Sequence, residues 1–89
     1  MPMDLRKLCG ERIRQRRLVR DWTQQELAKL AEIPYPTLSR LERGEQSTHY
    51  ERLARLADVL QVSADYLLGR TDDPRPPKRP RPRTTQPVG

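Results

Sequence analysis

Apolar residues recur along most of the chain at helical spacing. The first run is Leu5, Leu8, Cys9 and Ile13, and later runs repeat the interval of three or four residues. That interval places side chains on one face of a helix. The alternation and the β-branched or aromatic enrichment that are typical of strands are absent from the sequence. The pattern therefore predicts an all-α domain.

Capping residues mark where the first two helices begin. Asp4 precedes the first apolar run and suits an N-cap, and that helix is expected to end near Arg20 and Asp21. Thr23 is followed three residues later by Glu26, which is the capping-box pattern of a second helix.

Three further helices follow. Pro34 interrupts the second apolar run, and Pro36 suits a first helical position, so the third helix is expected to begin at Pro36 with Tyr35 at its cap. Gly44 is expected to end it. A fourth helix is predicted from about residue 50 to 60, and a fifth over 64–68, capped by Ser63 and ended by a glycine. The prediction is a compact five-helix domain with short connections.

The second and third helices are separated by so few residues that they must cross steeply, as in a helix-turn-helix. If Leu38 and Leu41 face inward, the outward face of the third helix is polar and cationic. It comprises Tyr35, Pro36, Ser39, Arg40 and Arg43. Such a face suits the major groove of DNA, where hydrogen-bond donors and acceptors distinguish base pairs. Spacing alone leaves open the alternative that these residues only cover a solvated helix.

Composition divides the chain in two. Residues 70–89 contain six of the nine prolines, and six Lys or Arg against two Asp. With little to bury, they are predicted to form a disordered basic proline-rich tail after a folded domain at 4–69. The tail is open to three interpretations: a solvated extension, an electrostatic arm that adds salt-dependent DNA affinity, or a carrier of the weak proline and basic-localisation motifs near Pro77.

Other function classes are not supported by the sequence. It contains no window of about 20 apolar residues and no signal-peptide pattern. Its single cysteine, Cys9, cannot form an internal disulfide, which fits a reducing cytoplasm. Cys9 and His49 do not supply the ligands of a zinc site. No cofactor, metal, membrane contact or enzymatic activity is therefore expected.

Four linked runs resemble the lambdoid phage repressor and Cro helix-turn-helix family, also described as xenobiotic-response-element-type transcriptional regulators. The runs are residues 10–14, 22–28, 37–44 and 62–69, which read GERIR, WTQQELA, TLSRLERG and VSADYLLG. They occur in the order and at the spacing of the family and cover about residues 5–69. The resemblance implies a lambda-repressor-like bundle that binds double-stranded operator DNA as a symmetric homodimer. It also implies transcription regulation, usually as a repressor, in the cytoplasm and on the nucleoid when DNA is bound.

The resemblance also assigns DNA-binding positions. They are Thr23 and Gln24 at the start of the second helix, Tyr35, Pro36, Thr37, Ser39 and Arg40 on the third, and Arg43 at its end. Thr23 and Gln24 match phosphate contacts, and Gln24 sometimes reaches a base pair. Arg40 is the candidate for base discrimination because its guanidinium can bond guanine O6 and N7 together; a phosphate contact or a salt bridge is the alternative. Thr37 and Ser39 are expected on phosphate or on a base through water, and Arg43 on phosphate.

One structural pair is implied as well. In relatives an arginine at the position of Arg17 pairs with the glutamate at Glu42 and holds the recognition helix against the domain. The alternative is that Glu42 lies on a solvated face.

Three departures from the family pattern affect the expected interface. Glu32 stands where the turn usually has glycine, which costs strain if φ is positive. Pro34-Tyr35-Pro36 replaces the usual Ser or Thr cap, and Glu45 stands where relatives often place a cation. The proline-modified helix start and the acidic loop keep open an alternative function, a protein-interaction module on the same scaffold, such as an antitoxin or adaptor. The outward face of the third helix distinguishes the DNA-binding function from the protein-binding one, since a protein-binding surface should expose aromatic and aliphatic side chains.

Three further positions are interpreted as core or contact residues. Trp22 is expected in the core. Tyr66 and Leu67 are expected either in the core or at a dimer seam, and the sequence does not decide between them.

Overall fold

The computed structural model describes residues 4–76, which contain five helices and no strand. The helices are α1 (Leu5–Val19), α2 (Gln24–Ala31), α3 (Tyr35–Glu42), α4 (Tyr50–Leu60) and α5 (Ala64–Leu68). This confirms the predicted all-α, five-helix fold. None of the helices in the described part of the chain is long and apolar enough to cross a membrane.

Side-chain caps begin α1, α2 and α5 as predicted. The Asp4 carboxylate accepts from the Arg6 N–H at 3.0 Å, and the Ser63 hydroxyl accepts from the Tyr66 N–H at 3.0 Å. At α2 the capping box is complete: the Thr23 hydroxyl accepts from the Glu26 N–H at 3.0 Å, and the Glu26 carboxylate accepts from the Thr23 N–H at 2.8 Å. Each cap satisfies a backbone donor that the helix leaves unpaired.

The predicted start of α3 was wrong by one residue. The helix begins at Tyr35, with Pro34 and not Tyr35 at the cap position. The Pro34 carbonyl accepts from the Leu38 N–H at 3.1 Å, so Tyr35 is already inside the first turn. Pro36 disfavours a helical Tyr35 but does not forbid it, and its missing N–H costs nothing in a first turn, where N–H groups have no helical partner.

All five helices contribute side chains to one core. Its largest fully buried side chains are Ile13, Leu27, Leu38, Leu53, Leu56, Leu60 and Leu67. Leu67 is therefore a core residue of the single chain. Tyr66 and Trp22 are half-buried and pack against this core, as expected for Trp22.

The turn between α2 and α3 uses a left-handed backbone. Glu32 has φ 58° and ψ 48°, the conformation that glycine usually supplies. Ile33 then turns inward and is buried, and its N–H donates to the Ala28 carbonyl at 2.9 Å. Glu32 thus adopts the turn geometry that glycine usually supplies, and its backbone is strained as a result. Gly44 also has a positive φ, of 74°, and ends α3 as predicted.

Hydrogen bonds cross the predicted domain boundary at residue 69. The Arg12 guanidinium donates to the carbonyls of Tyr66 and Thr71 at 2.6 and 2.8 Å, and to the Asp72 carboxylate at 2.8 Å. The Ser63 N–H donates to the Pro74 carbonyl at 3.0 Å. Residues 70–74 therefore lie against the domain, whereas residues 77–89 of the predicted tail are outside the described residues.

Candidate nucleic-acid interface

Helices α2 and α3 pack against each other and form a helix-turn-helix. Leu38 and Leu41 of α3 are buried against the core, as are Leu27 and Ala31 of α2. Because the apolar side of α3 faces inward, its polar side is directed to solvent. This is the arrangement expected from the spacing of the two leucines.

The outward side of α3 is open along its length. Tyr35 is 45% exposed, Pro36 and Arg40 are exposed, and Thr37 and Ser39 are half-buried. Arg40 makes no hydrogen bond or ion pair with any of residues 4–76. Its guanidinium is available to an external acceptor.

Arg43, at the end of α3, is already paired. Its Nε lies 2.8 Å from Glu45 Oε2, and its Nη1 donates to the Ser39 hydroxyl at 2.8 Å. The Arg43 hydrogen bond lowers the pKa of the Glu45 carboxyl, and the Arg40 charge lowers it further. The same bond raises the pKa of Arg43. A phosphate that binds Arg43 must therefore compete with the carboxylate of Glu45.

The expected Arg17–Glu42 pair is present and joins α1 to α3. Arg17 Nε and Nη2 donate to Glu42 Oε2 and Oε1 at 2.7 and 2.9 Å, and Arg17 Nη1 donates to the Trp22 carbonyl at 2.8 Å. The two side chains are only 10% and 2% exposed. The hydrogen bond to Glu42 raises the pKa of Arg17. This two-point ion pair fixes the end of α3 relative to α1.

Gln24 extends this pair to a third side chain. Gln24 Nε2 donates to Glu42 Oε1 at 3.0 Å, from the first residue of α2. Sequence reasoning missed this contact, because the two residues are 18 positions apart and no spacing rule connects them. The neighbouring Thr23 is exposed, and its hydroxyl is engaged in the capping box.

The fold and this arrangement define a helix-turn-helix protein. The helix-turn-helix family model matches residues 13–67, and the chain belongs to this family. As the sequence indicated, its relatives are lambda-repressor-like regulators.

Two curated relatives and one solved structure illustrate the similarity. The chain is 38% identical over 79 residues, 89% of its length, to the HTH-type transcriptional regulator DicA of Escherichia coli. It is 40% identical over 62 residues, 70% of its length, to the Repressor protein C2 of Salmonella phage P22. The crystal structure of the P22 c2 repressor with a synthetic operator matches with a TM-score of 0.66 and 41% identity, over 68% of this chain and 92% of that one.

The chain spans 56% and 29% of the lengths of DicA and C2, respectively. Both relatives are transcription regulators and not enzymes, which agrees with the expectation from the sequence.

Proposed function

We propose that this chain is a sequence-specific, double-stranded DNA-binding transcription regulator that acts as a repressor. In this proposal α3 enters the major groove of an operator, and the protein binds as a homodimer in the cytoplasm. The observation that carries the proposal is the outward side of α3, which is polar, accessible and centred on Arg40, a side chain without a hydrogen-bond or ion-pair partner among residues 4–76.

The proposal assigns a role to each of these residues. Arg40 bonds guanine O6 and N7, the commonest specific contact in the major groove. Tyr35 and Pro36 offer an apolar surface near the first turn, and Thr37 and Ser39 offer hydroxyls for phosphate or bridging water. Arg43 is assigned to phosphate.

The start of α2 supplies a further anion site. Helix N-termini carry partial positive charge and N–H groups that lack helical partners, which favours phosphate. Thr23 and Gln24 stand at this end of α2. The P22 c2 repressor, whose DNA-bound structure resembles this chain, supports the same mode of binding.

The test is selection of preferred sites from random duplex DNA with the full 89-residue chain, followed by titration across a salt series. We expect an enriched motif, and affinity that falls steeply as salt rises because Lys and Arg replace cations on the phosphates. Arg40→Ala should relax the preference at one base pair. Arg43→Ala should weaken binding to all sequences by a similar factor. Arg70→Ala, an exposed arginine beyond α5, is the matched control and should leave both unchanged.

Two outcomes would contradict the proposal. Identical specificity profiles for Arg40→Ala and the parent would remove Arg40 from base recognition. A flat salt response without an enriched motif would instead favour the protein-interaction module, the antitoxin or adaptor role that the acidic Glu45 first suggested.

A further inference from the structure

Glu42 places a chemical restriction on Gln24. The Glu42 side chain is 2% exposed, and an ionised carboxylate only accepts hydrogen bonds. Its Oε1 accepts from Arg17 Nη2 at 2.9 Å and from Gln24 Nε2 at 3.0 Å. A flipped Gln24 amide would set its carbonyl oxygen against Oε1, leaving two acceptors face to face in a largely buried place. The amide nitrogen of Gln24 must therefore face Glu42.

This orientation determines what Gln24 offers to an external partner. With one N–H given to Glu42, the carbonyl oxygen and the second N–H remain for the outer side of this half-buried residue. An acceptor beside a donor complements the major-groove edge of adenine, which presents the N6 amine beside N7. Guanine presents two acceptors at the same place and would meet the carbonyl oxygen of Gln24 with its O6.

We infer that Glu42 is a positioning residue that fixes the Gln24 amide so that Gln24 selects adenine in the operator. The inference rests on the proposed function. It gives Gln24, for which the resemblance left phosphate and base contacts open, a defined base preference. It also gives the buried ion pair a part in sequence recognition besides its structural one.

The first test uses matched variants in site selection with the full chain. The parent should enrich adenine at one position that Gln24→Met loses, while the rest of the motif persists. Gln25→Met is the control, since Gln25 is an exposed neighbour on α2 without side-chain contacts to the described residues, and it should keep the adenine. Replacing that adenine by purine, which lacks the N6 amine, should weaken the parent roughly two- to tenfold and should not weaken Gln24→Met.

The second test separates positioning from folding. In Glu42→Gln the new amide can face Gln24 with either its oxygen or its nitrogen, so the adenine-to-guanine preference should fall at that one position and at no other. Arg17→Lys keeps a cation beside the Glu42 carboxylate and should keep the adenine preference even if the domain becomes less stable. Circular dichroism checks that each variant is folded. If Glu42→Gln is not folded, the comparison of Arg17→Lys with the parent is used in its place.

The opposite results would overturn the inference. If Gln24→Met weakens all sequences equally and keeps the motif intact, Gln24 contacts phosphate, and the proposed function survives without this role. Loss of the adenine preference in Arg17→Lys would also overturn it, because the carboxylate that orients the amide is still there. Absence of any motif for the parent would overturn the proposed function and this inference with it.

Discussion

At the scale of single residues, Glu32 is one of three non-glycine residues with a positive φ in the described part of the chain, beside Asp21 and Gln61. Its left-handed backbone, with φ 58°, ends α2 and lets Ile33 turn into the core. An L residue is disfavoured in this region, whereas glycine is not. Glycine would therefore fit this turn with less backbone strain than the glutamate at residue 32.

Glu32→Gly should stabilise the domain by about 0.5–1 kcal/mol, since relief of the left-handed strain exceeds the entropy that glycine adds to the unfolded chain. Urea unfolding followed by circular dichroism measures this change. Gln25→Gly, in the first turn of the same helix, is the control and should instead cost up to about 1 kcal/mol. A destabilised Glu32→Gly protein would show that the Glu32 side chain contributes more than its backbone costs.

The residues of the candidate site differ in how far their positions and partners could be predicted from the sequence. Arg40 and its neighbours could be placed on the outward face because helical spacing fixes the side on which a residue lies once Leu38 and Leu41 are buried. The partnership of Arg43 with Glu45 could not, because both lie at the end of a helix where periodicity stops. The link between Gln24 and Glu42 depends on tertiary packing alone.

At the scale of elements, α1 and α3 approach each other closely at Gly10. A Cβ atom there would meet the Leu41 carbonyl oxygen and would lie 2.7 Å from that of Glu42. Only glycine lets the two helices lie at this distance. The contact sets the tilt of α3 together with the Arg17–Glu42 pair.

Gly10→Ala should therefore destabilise the domain by about 1–3 kcal/mol, because the added methyl group pushes against backbone that cannot move freely. Chemical denaturation measures this cost. Arg14→Ala, on the exposed side of α1, is the control and should change stability by less than about 0.5 kcal/mol. An unchanged stability for Gly10→Ala would mean that α1 and α3 can separate without loss.

The elements themselves were largely predictable because their caps are local. Asp4, Thr23 and Ser63 each bond within three residues, so the sequence contains both partners. The start of α3 was not predicted correctly, because its cap is a proline backbone carbonyl without a side-chain signal.

At the scale of the whole molecule, the domain extends beyond α5. Arg12 reaches across to Thr71 and Asp72, and Ser63 bonds Pro74. These contacts were not predictable, since residues 70–76 carry no apolar pattern. The contacts to Thr71 and Pro74 are made to backbone carbonyls, which every sequence provides, and the contact to Asp72 is made to its carboxylate.

A chain ended after residue 69 should be about 1–2 kcal/mol less stable than one ended after residue 76, because Arg12 loses the Thr71 carbonyl and the Ser63 N–H loses its partner. Thermal and urea unfolding of the two truncations measures the difference. Asp72→Asn in the longer form should change little, since that carboxylate is 99% exposed. Equal stabilities would place the boundary at residue 69, as the sequence predicted.

The Arg43–Glu45 pair has a consequence for how the whole protein responds to ionic strength. When Arg43 binds a phosphate, a cation leaves the DNA, but Glu45 loses its own partner and attracts a cation in return, so the net release of ions is small. Arg43 should then add binding energy with little effect on the dependence of affinity on salt. Glu45 therefore makes the protein less sensitive to salt than its 18 Lys and Arg residues alone suggest.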